Sequence, residues 1–226
     1  MWPSDAEALR AVQQELAAAA PEPWTIPAGV RIGGCWVCFP RGLTGPGGAS
    51  DPSWAAAVVM QEGRVIDEAI SEGLTGAPYE PGLLALRLGP VLEKVLRELA
   101  VPPDVMMVDA TGRDHPRRAG FALHLGAALE LPTIGVTHRP LLAEGDWPGD
   151  WRGDTSALRI GDEVVAAWVR TQPEVRPLVV HPGWRLDLQQ AVELVLATTP
   201  LRRTPEPLRH ARHLARHARA AAWSVG

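Results

Sequence analysis

A chain of 226 residues with 46% hydrophobic content and a formal net charge of −4 has the length and density of one α/β domain around a single core. The acidic balance excludes a protein that holds polyanions by bulk charge, although positions 202–219 concentrate Arg and His into a local basic stretch. No apolar run reaches a membrane-spanning length, and Asp5 and Glu7 stand where a signal peptide carries positive charge, so a cytoplasmic chain without membrane association is expected.

Residues 5–20 repeat apolar side chains at Ala8, Leu9, Val12, Leu16 and Ala19, the spacing of a helix that Ser4 can cap with Glu7 three positions on, and Pro21 and Pro23 stop it. Positions 30–39 read as a strand. The Gly- and Pro-dense segment 40–52 reads as a loop. Positions 55–60 and 64–70, joined by Glu62-Gly63, form a hairpin. A turn-rich loop around Tyr79 leads to a helix over 83–99, followed by a strand at 105–108, a helix over 118–129 and a strand at 133–136. This alternation predicts parallel strands. A second hairpin at 157–160 and 163–169, a strand at 178–180, and helices over 186–197 and 207–222 complete one domain spanning 1–226. The fold class is α/β, a mixed sheet with antiparallel strands first and parallel strands after, flanked by helices. Cys35 and Cys38 are three apart on a strand and point to opposite faces, which argues against a redox or zinc pair. His210, His213 and His217 share one face of the last helix, read as a solvated basic face.

Positions 104–120 carry the chemistry. An apolar strand ends on Asp109, which brings a carboxylate to the carboxyl edge of the sheet, where α/β proteins usually bind ligands. Gly112, His115, Pro116, Arg117 and Arg118 follow at once, and two arginines at a helix start suit phosphate contact.

Ala77-Pro-Tyr79-Glu-Pro81-Gly82-Leu-Leu-Ala-Leu-Arg87-Leu88-Gly89-Pro90 resembles the signature of the endonuclease V family, nucleases directed at deoxyinosine. Asp109 to Gly120 continuing through Val136, Pro205-Glu206-Pro207-Leu208-Arg209, and His181-Pro182-Gly183 resemble further family segments, in order over nearly the whole chain. The resemblance implies a ribonuclease H-like fold, recognition of inosine in DNA or RNA, and Mg²⁺-dependent hydrolysis of a phosphodiester 3′ to it. It places Tyr79 and Pro81 in a strand-separating wedge, and Gly82, Leu84, Gly112 and His115 around a flipped base. Asp109 becomes a metal ligand, His138 stands at a family lysine, and Asp109, His115 and His138 form the candidate catalytic set.

The same comparison shows departures. Trp36 and Leu88 occupy the positions of two metal-binding carboxylates, Ala110 replaces a glycine after Asp109, and Arg212 stands by spacing where the family has an acid or His. Neither Trp nor Leu can bind Mg²⁺. The expectation is therefore a protein that binds inosine-containing nucleic acid or a nucleotide, with metal-dependent cleavage lost or altered. Two other readings remain open: a rebuilt metal site joining Asp109 to Asp114, Asp67 or Glu80, and a small-molecule enzyme using Asp109, Cys35, His115 and His138 as acid and base groups.

Overall fold

The computed structural model describes residues 2–223, with the side chain of Trp223 not included, so position 1 and positions 224–226 of the expected domain lie outside the described residues. In chain order the elements are α1 (Ala6–Ala18), β1 (Ile32–Cys38), β2 (Pro52–Gln61), β3 (Arg64–Leu74), α2 (Leu84–Arg97), β4 (Val105–Val108), α3 (Phe121–Leu129), β5 (Thr133–Thr137), β6 (Thr155–Ile160), β7 (Glu163–Val169), β8 (Leu178–Pro182), α4 (Leu188–Ala197) and α5 (Glu206–Trp223). Among the described residues no helix is long and apolar enough to cross a membrane.

All eight strands form one mixed sheet in the order β3-β2-β1-β4-β5-β8-β7-β6. β4 lies parallel between β1 and β5, whereas the flanking pairs are antiparallel. The parallel centre follows from its connections: α2 links β3 to β4 and α3 links β4 to β5, and a parallel pair needs such a crossover. One face buries Leu92, Val95, Met106, Val108 and Phe121 under α1, α2 and α3. The other buries Val105, Met107, Ile134, Val180 and Leu194 under α4 and the start of α5.

Several boundaries differ from the sequence expectation, each for a local reason. Asp5, not Ser4, caps α1, because its carboxylate accepts the Ala8 N–H at 2.9 Å. α3 begins at Phe121 rather than 118, since Arg118 adopts φ +54° in a turn closed by its N–H on the His115 carbonyl at 2.9 Å. β2 and β3 are longer than expected because their pairing continues to Pro52 opposite Leu74. Cys35 packs into the cluster beneath α2, whereas Cys38 packs with Ala56 and Ala215 beneath α5, and both thiols are free. α5 presses directly on β1. A Cβ at Gly34 would stand 2.3 Å from the Pro207 backbone, so only glycine permits that approach.

Candidate functional site

β1 and β4 are in parallel register with Cys35 opposite Val108, so Trp36 and Asp109 emerge side by side at the carboxyl edge. The chain after Asp109 is tightly folded back. The Gly120 N–H donates to the Gly112 carbonyl at 2.7 Å and the Ala122 N–H to the Thr111 carbonyl at 3.1 Å. A Cβ at Gly112 would lie 2.3 Å from the Pro182 carbonyl oxygen, which fixes glycine there. Asp109 reaches solvent yet is surrounded by protein on most sides. That burial raises its pKa to about 6, while the charge of Arg212 pulls it down.

Trp36 packs against Ala211, Leu214 and Ala215 of α5, and Leu88 packs into the apolar cluster beneath α2. The Arg212 guanidinium carbon sits 5.1 Å above the Trp36 ring. Among the described residues no group of three or more His, Cys, Asp or Glu could hold a metal ion. The acids considered for a rebuilt site are engaged elsewhere. Asp114 is fully buried and accepts the N–H groups of Leu141, Leu142 and Ala143 at 2.6, 2.8 and 2.8 Å. Asp67 accepts the Val101 N–H at 2.8 Å, and Glu80 meets Arg10 at 3.4 Å. One carboxylate, two apolar side chains and a neighbouring guanidinium do not fit Mg²⁺, which needs oxygen ligands and is repelled by positive charge. The Cys35 thiol is buried, and that burial, with the Asp109 charge, pushes it up to about 12, so it stays protonated and unreactive.

Next to Asp109 lies a cavity of about 190 Å³ whose lining includes Tyr79, Pro81, Gly82, Leu84, Ala110 and His115. Gly82 is its hinge. With φ +78° it turns its carbonyl toward three donors: Gln13 Nε2 at 2.9 Å, Arg117 Nη2 at 2.8 Å and His115 Nε2 at 3.2 Å. Arg117 also donates from Nε to Gln13 Oε1 at 2.5 Å, and its backbone N–H donates to His115 Nδ1 at 3.2 Å. His115 is therefore the neutral tautomer protonated at Nε2. Burial, reinforced by Arg117, lowers its pKa to about 4. Both of its ring nitrogens are thus engaged in holding the cavity wall. Gln13 was not among the residues expected here, but it lies between Leu9 and Leu16 on the inward stripe of α1 and is 3% exposed. A polar residue on an apolar stripe is the signal that marks it.

The loop bearing Tyr79 is held by a second unexpected residue. Arg87 is 3% exposed and sits one turn from Leu84 and Val91 on the apolar stripe of α2. Its guanidinium donates to the Gly48 carbonyl, to the Ala77 carbonyl at 3.0 Å and to Asp51 at 2.6 Å, and stacks 4.7 Å over the Phe39 ring. The Tyr79 N–H donates to the Gly47 carbonyl at 3.0 Å, leaving its side chain 44% exposed at the cavity mouth. Arg118 pairs with Glu163 at 3.2 Å, away from this wall. His138 is exposed, outside the cavity lining, and accepts a hydrogen bond at Nδ1 from Arg203 at 3.0 Å. The His213 and His217 rings on α5 meet tilted, with centroids 4.2 Å apart, and His210 approaches Glu206 at 3.7 Å.

The family model of endonuclease V matches residues 42–213. Endonuclease V of Streptomyces coelicolor is 41% identical over 221 residues, covering 96% of this chain and 92% of that protein. The crystal structure of endonuclease V from Streptomyces avermitilis superposes with a TM-score of 0.87 at 39% identity, covering 98% of this chain and 96% of that one. Endonuclease V of Ciona intestinalis, solved in complex with a 23mer DNA containing an inosine, has the same fold at 22% identity, with a TM-score of 0.80 over 94% of this chain and 95% of that one. The sheet described above is thus the ribonuclease H-like fold of these proteins.

Proposed function

This chain belongs to the endonuclease V family, and from that premise we propose that it recognises inosine in nucleic acid and does not hydrolyse the strand by the metal-dependent route. The single observation that carries the proposal is the contrast at the carboxyl edge. A cavity with a rigid, three-donor wall at Gly82 adjoins a carboxylate, Asp109, whose neighbours Trp36, Leu88 and Arg212 offer no oxygen ligand. The Ciona intestinalis protein was solved with inosine-containing DNA, which supports nucleic acid as the ligand class.

A base reaches such a cavity by rotating out of its stack, at a cost of a few kcal/mol that is smallest where pairing is already weak. Here Tyr79 and Pro81 occupy the gap at the mouth. Stacking on an aromatic ring supplies about 1–3 kcal/mol per base. Gly82, Leu84 and Ala110 line the space open to the base edge, and His115 and Arg117 hold the Gly82 carbonyl in place. The methyl group of Ala110 narrows the cavity floor next to Asp109.

The test compares labelled strands carrying one inosine or one adenine, in EDTA and in Mg²⁺ or Mn²⁺. Preferential binding of the inosine strand without nicking is expected. Efficient nicking 3′ to inosine on adding metal would refute the loss of hydrolysis, and equal affinity for the two strands would refute inosine recognition. Tyr79→Ala should weaken inosine-strand binding by about 5- to 150-fold, the loss of one stacked base.

A further inference from the structure

We infer that the Thr137 hydroxyl, held as an acceptor by its neighbours, tells the protonated N1 of inosine from the bare N1 of adenine. The inference rests on the cavity receiving a base, and it names the side chain that reads the base edge. Thr137 closes β5 and lines the cavity, and Gly135, two positions earlier, stands opposite His181 of β8 in the antiparallel register. Thr137 is therefore the diagonal neighbour of His181 on the same face of the sheet. Because Gly135 has no side chain, the imidazole has room to lean across it; a Cβ there would stand 3.1 Å from the His181 Cβ. His181 is fully buried, and its Nε2 lies 3.0 Å from Thr137 Oγ1.

The proton positions follow from counting donors. Thr137 Oγ1 also lies 2.8 Å from the Arg139 carbonyl oxygen, which can only accept, so the single hydroxyl proton is spent there. His181 must then donate from Nε2. Burial keeps the imidazole neutral, with its pKa lowered to about 4, so Nδ1 carries no proton, and Nδ1 is the nitrogen left buried without a partner. With its proton on Arg139 and one lone pair on His181, the hydroxyl has a second lone pair left for a ligand. Inosine presents an N1–H donor beside its O6 acceptor, whereas adenine presents a bare N1 beside an amine. An acceptor that cannot turn into a donor gains a hydrogen bond from the first and meets a lone pair on the second. Proteins that take a base out of its stack read this edge by hydrogen bonds, and a fixed polar group left unpaired is what rejects the wrong ligand. The other polar side chains of the lining lack this property. Gln13 and His115 are tied to Gly82 and Arg117, and Glu80 meets Arg10. Among the described residues no partner fixes the Thr111 hydroxyl, which can turn to suit either base.

The experiment is fluorescence anisotropy of the whole chain, in EDTA, with single strands carrying one inosine, one adenine or one 1-methylinosine. Thr137→Val keeps the shape of the side chain and removes the hydroxyl. It should weaken the inosine strand by about 2- to 12-fold, the loss of one hydrogen bond, without weakening the adenine strand. The 1-methylinosine strand has no donor at that atom and should bind the variant as it binds the wild type. Thr137→Ser, which keeps the hydroxyl, should keep the wild-type inosine-to-adenine ratio. Equal weakening of all three strands by Thr137→Val, or an unchanged inosine-to-adenine ratio, would overturn the inference and leave the cavity reading in place. If Thr137→Val fails to fold because His181 Nε2 is stranded, Thr137→Val combined with His181→Leu removes both partners at once, reads the same ratios and is judged in the same way. Equal affinity of the wild type for inosine and adenine strands would instead overturn the cavity reading, and this inference with it.

Discussion

The two halves of the carboxyl edge are built by different means. Around the cavity, Gly82, Gln13, His115, Arg117 and Arg87 make a dense set of hydrogen bonds to backbone carbonyls, so the wall is fixed before any ligand arrives. Around Asp109, contacts are apolar or cationic: Trp36 on α5, Leu88 in the core, Arg212 above the indole. Shaping a pocket needs donors and glycine backbone, whereas binding a hard cation needs clustered oxygens. A chain can keep the first and lose the second because the two sets share neither residues nor hydrogen bonds.

Replacing Arg87 is the strongest way to break the first half. Arg87→Met keeps the length of the side chain but removes the donor to the Ala77 carbonyl and leaves the Gly48 carbonyl to Thr75 and the Asp51 carboxylate to the Gly48 N–H alone. Leaving the Ala77 carbonyl without its donor costs about 1–3 kcal/mol, which urea unfolding would detect. Inosine binding should fall with it, because the loop that presents Tyr79 loses its anchor. A stable variant with unchanged binding would show that the loop is held by other contacts.

How much of this was legible in the sequence follows from the range of each interaction. Element identity was visible because periodicity is local, and β4 at 105–108 lies where the apolar run is. The antiparallel return of β8 onto β5 was not, since pairing between Thr137 and Val179 depends on a chain excursion that no local pattern records. The resemblance grouped Tyr79, Pro81, Gly82, Leu84, Gly112 and His115; five of these line one cavity, whereas Gly112 is buried against the Pro182 carbonyl outside it. Arg117 and Arg118, expected at phosphate, are found on Gln13 with Gly82 and on Glu163. Gln13 and Arg87 escaped notice because their partners are backbone carbonyls, and a carbonyl has no letter in the sequence. Only their polarity on apolar stripes marks them.

Acid should act on the same wall. His115 is held neutral in the fold, with its pKa lowered from 6.5 to about 4, so its contribution is fully present above 6.5 and is lost as pH falls through about 4. The corresponding loss is about 3 kcal/mol at most. It has a local cause: a proton on Nδ1 removes the acceptor of the Arg117 N–H. Urea unfolding at a series of pH values should show wild-type stability dropping across that window, with a shallower drop for His115→Gln. Equal slopes would assign the acid sensitivity to the other buried histidines, His124 and His181, whose pKa values are also lowered to about 4 by burial.

The smallest substitution separates the wall from the fold beneath it. Gly82→Ala adds one methyl group at φ +78°, where an L side chain is disfavoured, so stability should fall by about 1–2 kcal/mol. Steric contact adds little, because the new Cβ would meet Arg117 Nη2 at 3.1 Å and His115 Nε2 at 3.4 Å, and the arginine end can shift. That shift moves a donor off the Gly82 carbonyl, so recognition should suffer more than stability does. The inosine-to-adenine affinity ratio should drop while binding to the adenine strand stays near wild type. If both strands weaken together, the two halves of the edge are mechanically coupled through Arg117, and the independence inferred from their separate contacts does not hold.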